Sequence, residues 1–255
     1  MRRYEVMLEC HGLTKTYESA DPPVQVLDGI DLEVRSGEFL VVMGASGSGK
    51  STLLYSLSGM DRPTGGQVLL SGQDLTGLSN SEMSHLRLTT MGFVFQQAYL
   101  LPNLSLRDNI LLPVLKAFPE SRDAARKRVD QLMERFDIEH VATHGVTEVS
   151  GGQLQRAALC RAIATEPKIL FADEPTGALN STVTREVMKA LNDINVEGTT
   201  IVMVTHDPAC AVLADRVVYL RDGALAGEHN LGAWDSEDTG RRQEDLQNWL
   251  KGLGF

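Results

Sequence analysis

Residues 38–59, EFLVVMGASGSGKSTLLYSLSG, spell out a strand, a loop and a helix in one continuous run. EFLVVMGAS is an apolar segment that ends at glycine, as a buried strand does, and STLLYSLSG carries the residues of a helix. Between them GASGSGKS, residues 44–51, fits the pattern G-x-x-x-x-G-K-[ST] in the context that gives the pattern meaning. Gly44, Gly47 and Gly49 let the backbone curl until successive N–H groups point inward, and the helix that follows adds its positive end. The cradle runs through Gly44, Ala45, Ser46, Gly47, Ser48, Gly49, Lys50, Ser51 and Thr52. Lys50 is suited to bridge β- and γ-phosphates, and the Ser51 hydroxyl to ligate Mg²⁺. A nucleoside triphosphate is the ligand such a loop calls for.

A second stretch, ILFADEPTGALN (169–180), runs through apolar residues and ends on two adjacent carboxylates, Asp173 and Glu174. Buried carboxylates are costly unless paired or hydrogen-bonded, so the pair asks for a metal, a reaction or a plain salt bridge. The phosphate loop favours the first two. Neighbouring side chains of a strand point in different directions, so Asp173 can face Mg²⁺ while Glu174, just beyond, faces the γ-phosphate and a water.

Composition narrows the class. Hydrophobic residues make up 42% and charged residues 23% of the 255, which speaks against disorder and against a fibrous repeat. Against 34 acidic residues stand 24 basic ones, and the resulting charge of −10 disfavours broad attraction to a nucleic-acid backbone, so no nucleic-acid partner is expected. Cys10, Cys160 and Cys210 are odd in number, far apart and without metal-site spacing, which suits small apolar packing residues in a reducing compartment. The opening MRRYEVMLECHGLTKTY lacks the apolar stretch of a signal peptide. No membrane span is evident either, since NLSLRDNILLPVLKAF is broken by Arg107 and Asp108. Work at a membrane would then need a separate chain.

Strand-like and helical runs alternate, giving a mixed α/β pattern. GQVLLSG (66–72) reads as a strand, and KILFAD, TTIVMVTHD and RVVYLRDG read as three more, the first two apolar enough to be central in a parallel sheet. From Asn80 to about Arg135 the periodicity is mostly helical; in ESRDAARKRVDQLMERF (120–136) it places Ala125, Val129, Leu132, Met133 and Phe136 on one face. This reads as a helical insertion. Beyond Asn230 the chain is polar and acidic until LQNWLKGL, where Leu246, Trp249, Leu250 and Leu253 make a short amphipathic helix. That helix has two open readings, docking on its own domain and contact with another subunit.

VSGGQLQR, residues 149–156, opens another helical run. Together with the phosphate loop and ILFADEP it resembles the signature of the ATP-binding-cassette (ABC) ATPases, usually LSGGQ, with Val149 in place of Leu. The resemblance covers roughly residues 7–229, with the motifs in the family's order. It implies the P-loop ABC ATPase fold: a mainly parallel central sheet, an antiparallel N-terminal β-subdomain and a helical insertion subdomain. The implied division is an ATPase domain at 1–229 with an insertion at about 80–165, then an acidic linker and short helix at 230–255. Tyr17 in LTKTY matches the aromatic residue that stacks on adenine. Gln96 matches the glutamine where core and insertion join, assigned to the metal and to catalysis, and His206 matches the switch histidine near the γ-phosphate.

The resemblance further implies ATP and Mg²⁺, with Ser51, Gln96 and Asp173 toward the metal and Glu174, His206, Gln96 and Lys50 toward the chemistry. Two copies would pack head to tail, each ATP gripped by one phosphate loop and by Ser150, Gly151, Gly152 and Gln153 of the other copy. FVFQQAYLLPNLSLRDNILLP (93–113) and ADEPTGALNS look like the group that pairs with FtsX-like and MacB-like membrane subunits, the group of LolD, FtsE and BceA. For that group the implied role is export or extraction of an antimicrobial peptide, drug, lipoprotein or haem. The implied place is cytoplasmic, at the inner face of the membrane through the permease, with Tyr99, Leu100 and Leu101 exposed for docking. The alternative within the resemblance is a regulatory subunit that transmits a mechanical signal and moves no substrate. A cassette of DNA repair or of the ribosome is disfavoured, because there is no long heptad insertion and no second cassette. One departure stands out: the family commonly has Asp after the Ala-Leu pair, where this chain has Asn180.

Overall fold

The computed structural model describes residues 5–119, 122–177, 179–235 and 238–255. The opening residues 1–4, part of the signal-peptide reading, and Ala178 of the Ala-Leu pair lie outside them, as do Glu120 and Ser121 of the helical run. In chain order the first elements are β1 (Val6–Tyr17), β2 (Val24–Arg35), β3 (Phe39–Met43), α1 (Lys50–Leu57), β4 (Gly65–Leu70), β5 (Gln73–Asp74) and α2 (Asn80–Thr90). The middle of the chain forms β6 (Met91–Phe95), α3 (Leu106–Ala117), α4 (Arg122–Arg135), α5 (Gly151–Ile163), β7 (Ile169–Asp173) and α6 (Ser181–Val196). The last part forms β8 (Thr200–Val204), α7 (Pro208–Ala211), β9 (Arg216–Arg221), β10 (Ala224–Asn230) and α8 (Thr239–Gly252). The chain divides into two compact units, one of residues Met1–Met83 with Asn192–Phe255 and one of Ser84–Leu191.

The first unit holds two layers of strands. An antiparallel sheet runs β2-β1-β4-β5. Its alternation buries Leu8, Cys10 and Leu13 of β1 against Leu27, Ile30, Leu32 and Val34 of β2, as expected of a sheet with one wet face. The other layer has β3 parallel to both β8 and β9, with β10 antiparallel at the edge. FLVVM and TIVMV are buried at every position. Continuous burial leaves no polar face, which is why these runs do not alternate.

In the second unit β6 and β7 pair in parallel, Phe93 opposite Phe171 and Phe95 opposite Asp173. Residues 80–135 are mostly helical, as read, in α2, α3 and α4, and the strand β6 lies among them. MGFVF is a five-residue apolar run that begins directly at the end of α2, too short to show a period of its own, and its pairing with β7 decides its conformation. Elsewhere the periodicity is realised: Ala125, Val129, Leu132, Met133 and Phe136 are all buried. Cys10, Cys160 and Cys210 are buried and unbridged, and burial pushes the Cys10 thiol up to about 12. Among the described residues no helix is long and apolar enough to cross a membrane.

The C-terminal helix starts at Thr239, ahead of the expected apolar stripe, and docks on its own unit. Leu246 and Leu250 are buried, and Trp249 stacks on His229 with ring centroids 5.1 Å apart. The early turn carries the anchor. Arg242, 5% exposed, donates to the carbonyls of Val212, Ala214, Leu231, Gly232 and Ala233, at 2.7 Å to Ala214. A guanidinium satisfies several loop-end carbonyls at once because its donors are fixed in a planar fork. Arg242→Met keeps the volume and removes every donor, so it should lower stability by about 2–4 kcal/mol. A urea midpoint unchanged from the parent would contradict that anchor role.

Candidate active site

In the first unit, β3 ends at Met43 and the chain turns at once into the phosphate loop. A Cβ at Gly44 would lie 2.3 Å from the Leu220 carbonyl oxygen and 2.6 Å from Ser48 Oγ, so the loop passes where no other residue fits. Gly49 has φ 100° and precedes α1 without a side-chain cap, and no acidic residue lies in the first turn. The positive end of α1 is thus dressed for an anion. Ser48 Oγ is buried and has no hydrogen-bond partner among the described residues, an orphan polar atom within the same loop. Lys50, 8% exposed, folds back to donate to the carbonyls of Gly44 at 3.0 Å and Ala45 at 2.9 Å. Ala45, Ser46 and Gly47 are exposed at the crest, and Ser51 and Thr52 are half-buried at the start of the helix.

Parallel pairing aligns a further residue with this loop. Val42 stands opposite Val204, so the chain leaves β3 toward Gly44 and leaves β8 toward His206 at the same end of adjacent strands. Carboxyl ends of parallel strands are where open α/β sheets bind ligands. His206 is exposed, and Asp207 after it caps α7 by accepting from the Ala209 N–H at 2.8 Å. Tyr17, at the end of β1, is half-buried with its hydroxyl donating to Asp61 Oδ2 at 2.9 Å.

The second unit repeats the logic. Phe95 pairs with Asp173, so Gln96 and Glu174 follow adjacent strand ends. Asp173 is 8% exposed, the last residue of β7. Glu174 turns away with φ 46°, a left-handed conformation that a non-glycine residue adopts at some cost and that re-aims its side chain relative to a strand. Gln96 is exposed, and a Cβ on Gly177 would sit 2.8 Å from its Nε2, so the turn after Glu174 lies against the glutamine.

Gln155 is the residue that motif reading passed over. Buried on α5, its Nε2 donates to the Phe95 carbonyl at 3.1 Å and to the Pro175 carbonyl at 2.7 Å. It ties together the two turns that carry Gln96 and Glu174. The available signal was a glutamine on a face otherwise made of Ala and Leu.

Ser150 caps α5: its hydroxyl accepts from the Gln153 N–H at 3.3 Å, while the Gln153 side chain accepts from the Ser150 N–H at 2.9 Å. This reciprocal capping box fixes the start of the helix with Gly151 and Gly152 as its first residues. A Cβ on Gly152 would meet Val183 Cγ2 at 3.2 Å. Asn180 caps α6 in turn, its Oδ1 accepting from the N–H groups of Thr182 at 3.1 Å and Val183 at 3.0 Å. Asn and Asp cap helices about equally well, so the exchange at this position leaves the local fold its acceptor.

The exposure expected for residues 99–101 holds for Tyr99 and Leu101 and fails for Leu100, which is buried. Asn109 binds both the N–H and the carbonyl of Leu101, at 2.6 and 3.1 Å, and Arg161 donates to the carbonyls of Ala98 and Tyr99. With the backbone pinned on both sides, Leu100 turns inward.

Residues 27–177 match the family model described as ABC transporter. The chain is 42% identical over 223 residues, 87% of its own length and 99% of the relative's, to the lipoprotein-releasing system ATP-binding protein LolD 1 of Rhodopseudomonas palustris. It is 40% identical over 222 residues to the macrolide export ATP-binding/permease protein MacB of Chlorobaculum tepidum, where the match covers 87% of this chain and 34% of MacB. Among solved structures, the dimeric bacterial ABC transporter cassette MJ0796 matches with a TM-score of 0.84 at 37% identity, covering 89% of this chain and all of that one. The same cassette in a post-hydrolysis state bound to ADP and phosphate matches with a TM-score of 0.83 at 36% identity, over 89% of this chain and all of that one. A phosphate loop built for an anion, a carboxylate pair at a strand end and these near-complete matches place the chain in the ABC transporter family, as an ATP-hydrolysing subunit of the MacB and LolD type.

Proposed function

We propose that the chain is the ATPase subunit of a membrane transporter, closing as a head-to-tail homodimer on ATP and driving an FtsX-like or MacB-like permease to export or extract a substrate. One observation carries the permease partner: the same cassette stands alone in LolD and makes up a third of MacB, a chain named for both ATP binding and permease. A cassette that occurs separately and fused to a permease needs such a partner in its separate form. Tyr99 and Leu101, exposed and on a pinned backbone, are the apolar contacts this chain offers to it. Membrane association follows from the partner.

The chemistry is assigned residue by residue. Lys50 and the N–H groups at the start of α1 bind and neutralise the β- and γ-phosphates. Ser51, Gln96 and Asp173 supply a hydroxyl, an amide and a carboxylate, the hard oxygen donors that suit Mg²⁺, which would polarise the phosphate oxygens. Glu174 accepts the proton of the attacking water as its oxygen bonds to the γ-phosphorus and the bond to the β–γ bridging oxygen breaks, leaving ADP and phosphate. His206 orients the γ-phosphate. Ser150, Gly151, Gly152 and Gln153 of the second copy present the positive end of α5 to the same group.

The test is purification from membranes under mild detergent. Retention of a multi-spanning chain, and ATP hydrolysis that changes when that chain is reconstituted with this one, is expected. Isolation without a membrane protein, or hydrolysis unaltered by a membrane protein that does co-purify, would overturn the permease assignment.

A further inference from the structure

Tyr17 does not choose its own orientation. Its hydroxyl donates to Asp61 Oδ2 at 2.9 Å, and Lys15, two residues earlier on the same face of β1, donates to Oδ1 of the same carboxylate at 2.5 Å. Lys15 also donates to the Arg62 carbonyl at 2.7 Å, and its ammonium lies 4.9 Å from the centre of the Tyr17 ring. The lysine is 8% exposed, a depth at which an ammonium needs an anionic partner, and Asp61 provides it.

Asp61 is itself tied to α1. The N–H groups of Met60 and Asp61 both donate to the Tyr55 carbonyl, at 2.9 and 3.1 Å, closing the helix with the turn that carries the carboxylate. One end of α1 therefore emerges from the phosphate loop, and the other presents the group that holds the Tyr17 ring.

We propose that Asp61, together with Lys15, is a positioning pair that sets the Tyr17 ring for the nucleotide base and so contributes to base affinity, not phosphate affinity. The inference rests on Tyr17 being the adenine-stacking residue. An unrestrained aromatic side chain loses rotamer freedom when a ligand stacks on it, and that loss weakens binding; a ring already fixed has none to lose. The ammonium takes one face of the ring through its attraction to the π electrons. A stacked base takes the other.

The experiment compares dissociation constants of the full chain for ATP and for inorganic tripolyphosphate, each with Mg²⁺, by calorimetric titration. Asp61→Ala is expected to weaken ATP about three- to tenfold and leave tripolyphosphate unchanged. The ATPase KM should rise by the same factor without a fall in kcat. Tyr17→Phe keeps the ring and loses its bond to Asp61, so it should show the same ATP-specific loss, and the double variant should be no weaker than Asp61→Ala alone. Equal weakening of both ligands, or no change in either, overturns the proposal. Tyr17→Ala separates the premise: if it keeps the parental ratio of the two constants, the adenine reading itself fails. If Tyr17→Ala loses that ratio while Asp61→Ala keeps it, the positioning role alone fails.

Discussion

Glu174→Gln is expected to lower ATP turnover by about 10²–10⁴-fold, the usual contribution of a positioned general base, while ATP still binds. The amide keeps the size of the carboxylate and cannot take the proton of the attacking water. Glu174 occupies a left-handed turn directly beyond Asp173, with the turn held by Gln155 through the Pro175 carbonyl, so the substitution should alter chemistry and not the backbone. With hydrolysis blocked, the ATP-bound chain should elute as a dimer. Phosphate release and size-exclusion chromatography with ATP check both halves. A variant that turns over ATP normally and stays monomeric would remove Glu174 from the role of base.

Lys50→Ala should act earlier, on binding. A hydrogen bond to a charged group is worth about 1.5–3 kcal/mol, so ATP affinity should fall at least about tenfold. In the structure the ammonium donates to the Gly44 and Ala45 carbonyls, and a phosphate would take over some of those donors. Nucleotide titration measures the loss. Unchanged affinity would mean that the lysine only braces its own loop.

Much of this was legible in the sequence because the deciding signals are local. GASGSGKS needs specific residues at specific spacing for the loop to exist at all, and FLVVM and TIVMV announce by unbroken apolarity that both their faces are covered. What escaped depends on contacts between residues distant in sequence. MGFVF becomes a strand only by pairing with ILFAD, and Leu100 is buried only because Asn109 and Arg161 hold its neighbours. Gln155, although inside VSGGQLQR, and Asp61 belong to the same class: no spacing gives either a role, and each is recognised by what it touches across 60 and 44 residues of chain. Arg242 reads on paper as one more charge in a polar tail, yet its donors reach carbonyls of two separate loops.

In the proposed head-to-tail dimer, the capping box at Ser150 would bear on how readily two copies part. A hydroxyl has one hydrogen to give and two lone pairs to receive, and here it receives from the Gln153 N–H while its oxygen lies 3.1 Å from Gln153 Oε1, where its hydrogen is given. In the proposed dimer, meeting a phosphate from the other copy would need only a rotation of the O–H bond. One internal acceptor is exchanged for an external one, and the helix keeps its cap throughout. The proposed contact would thus exchange a neutral acceptor for a charged one, and the stronger charge-assisted bond would favour closure. Such a clasp would close without rebuilding the helix and would let go once hydrolysis has cut the γ-phosphate from the nucleotide and the freed phosphate has left.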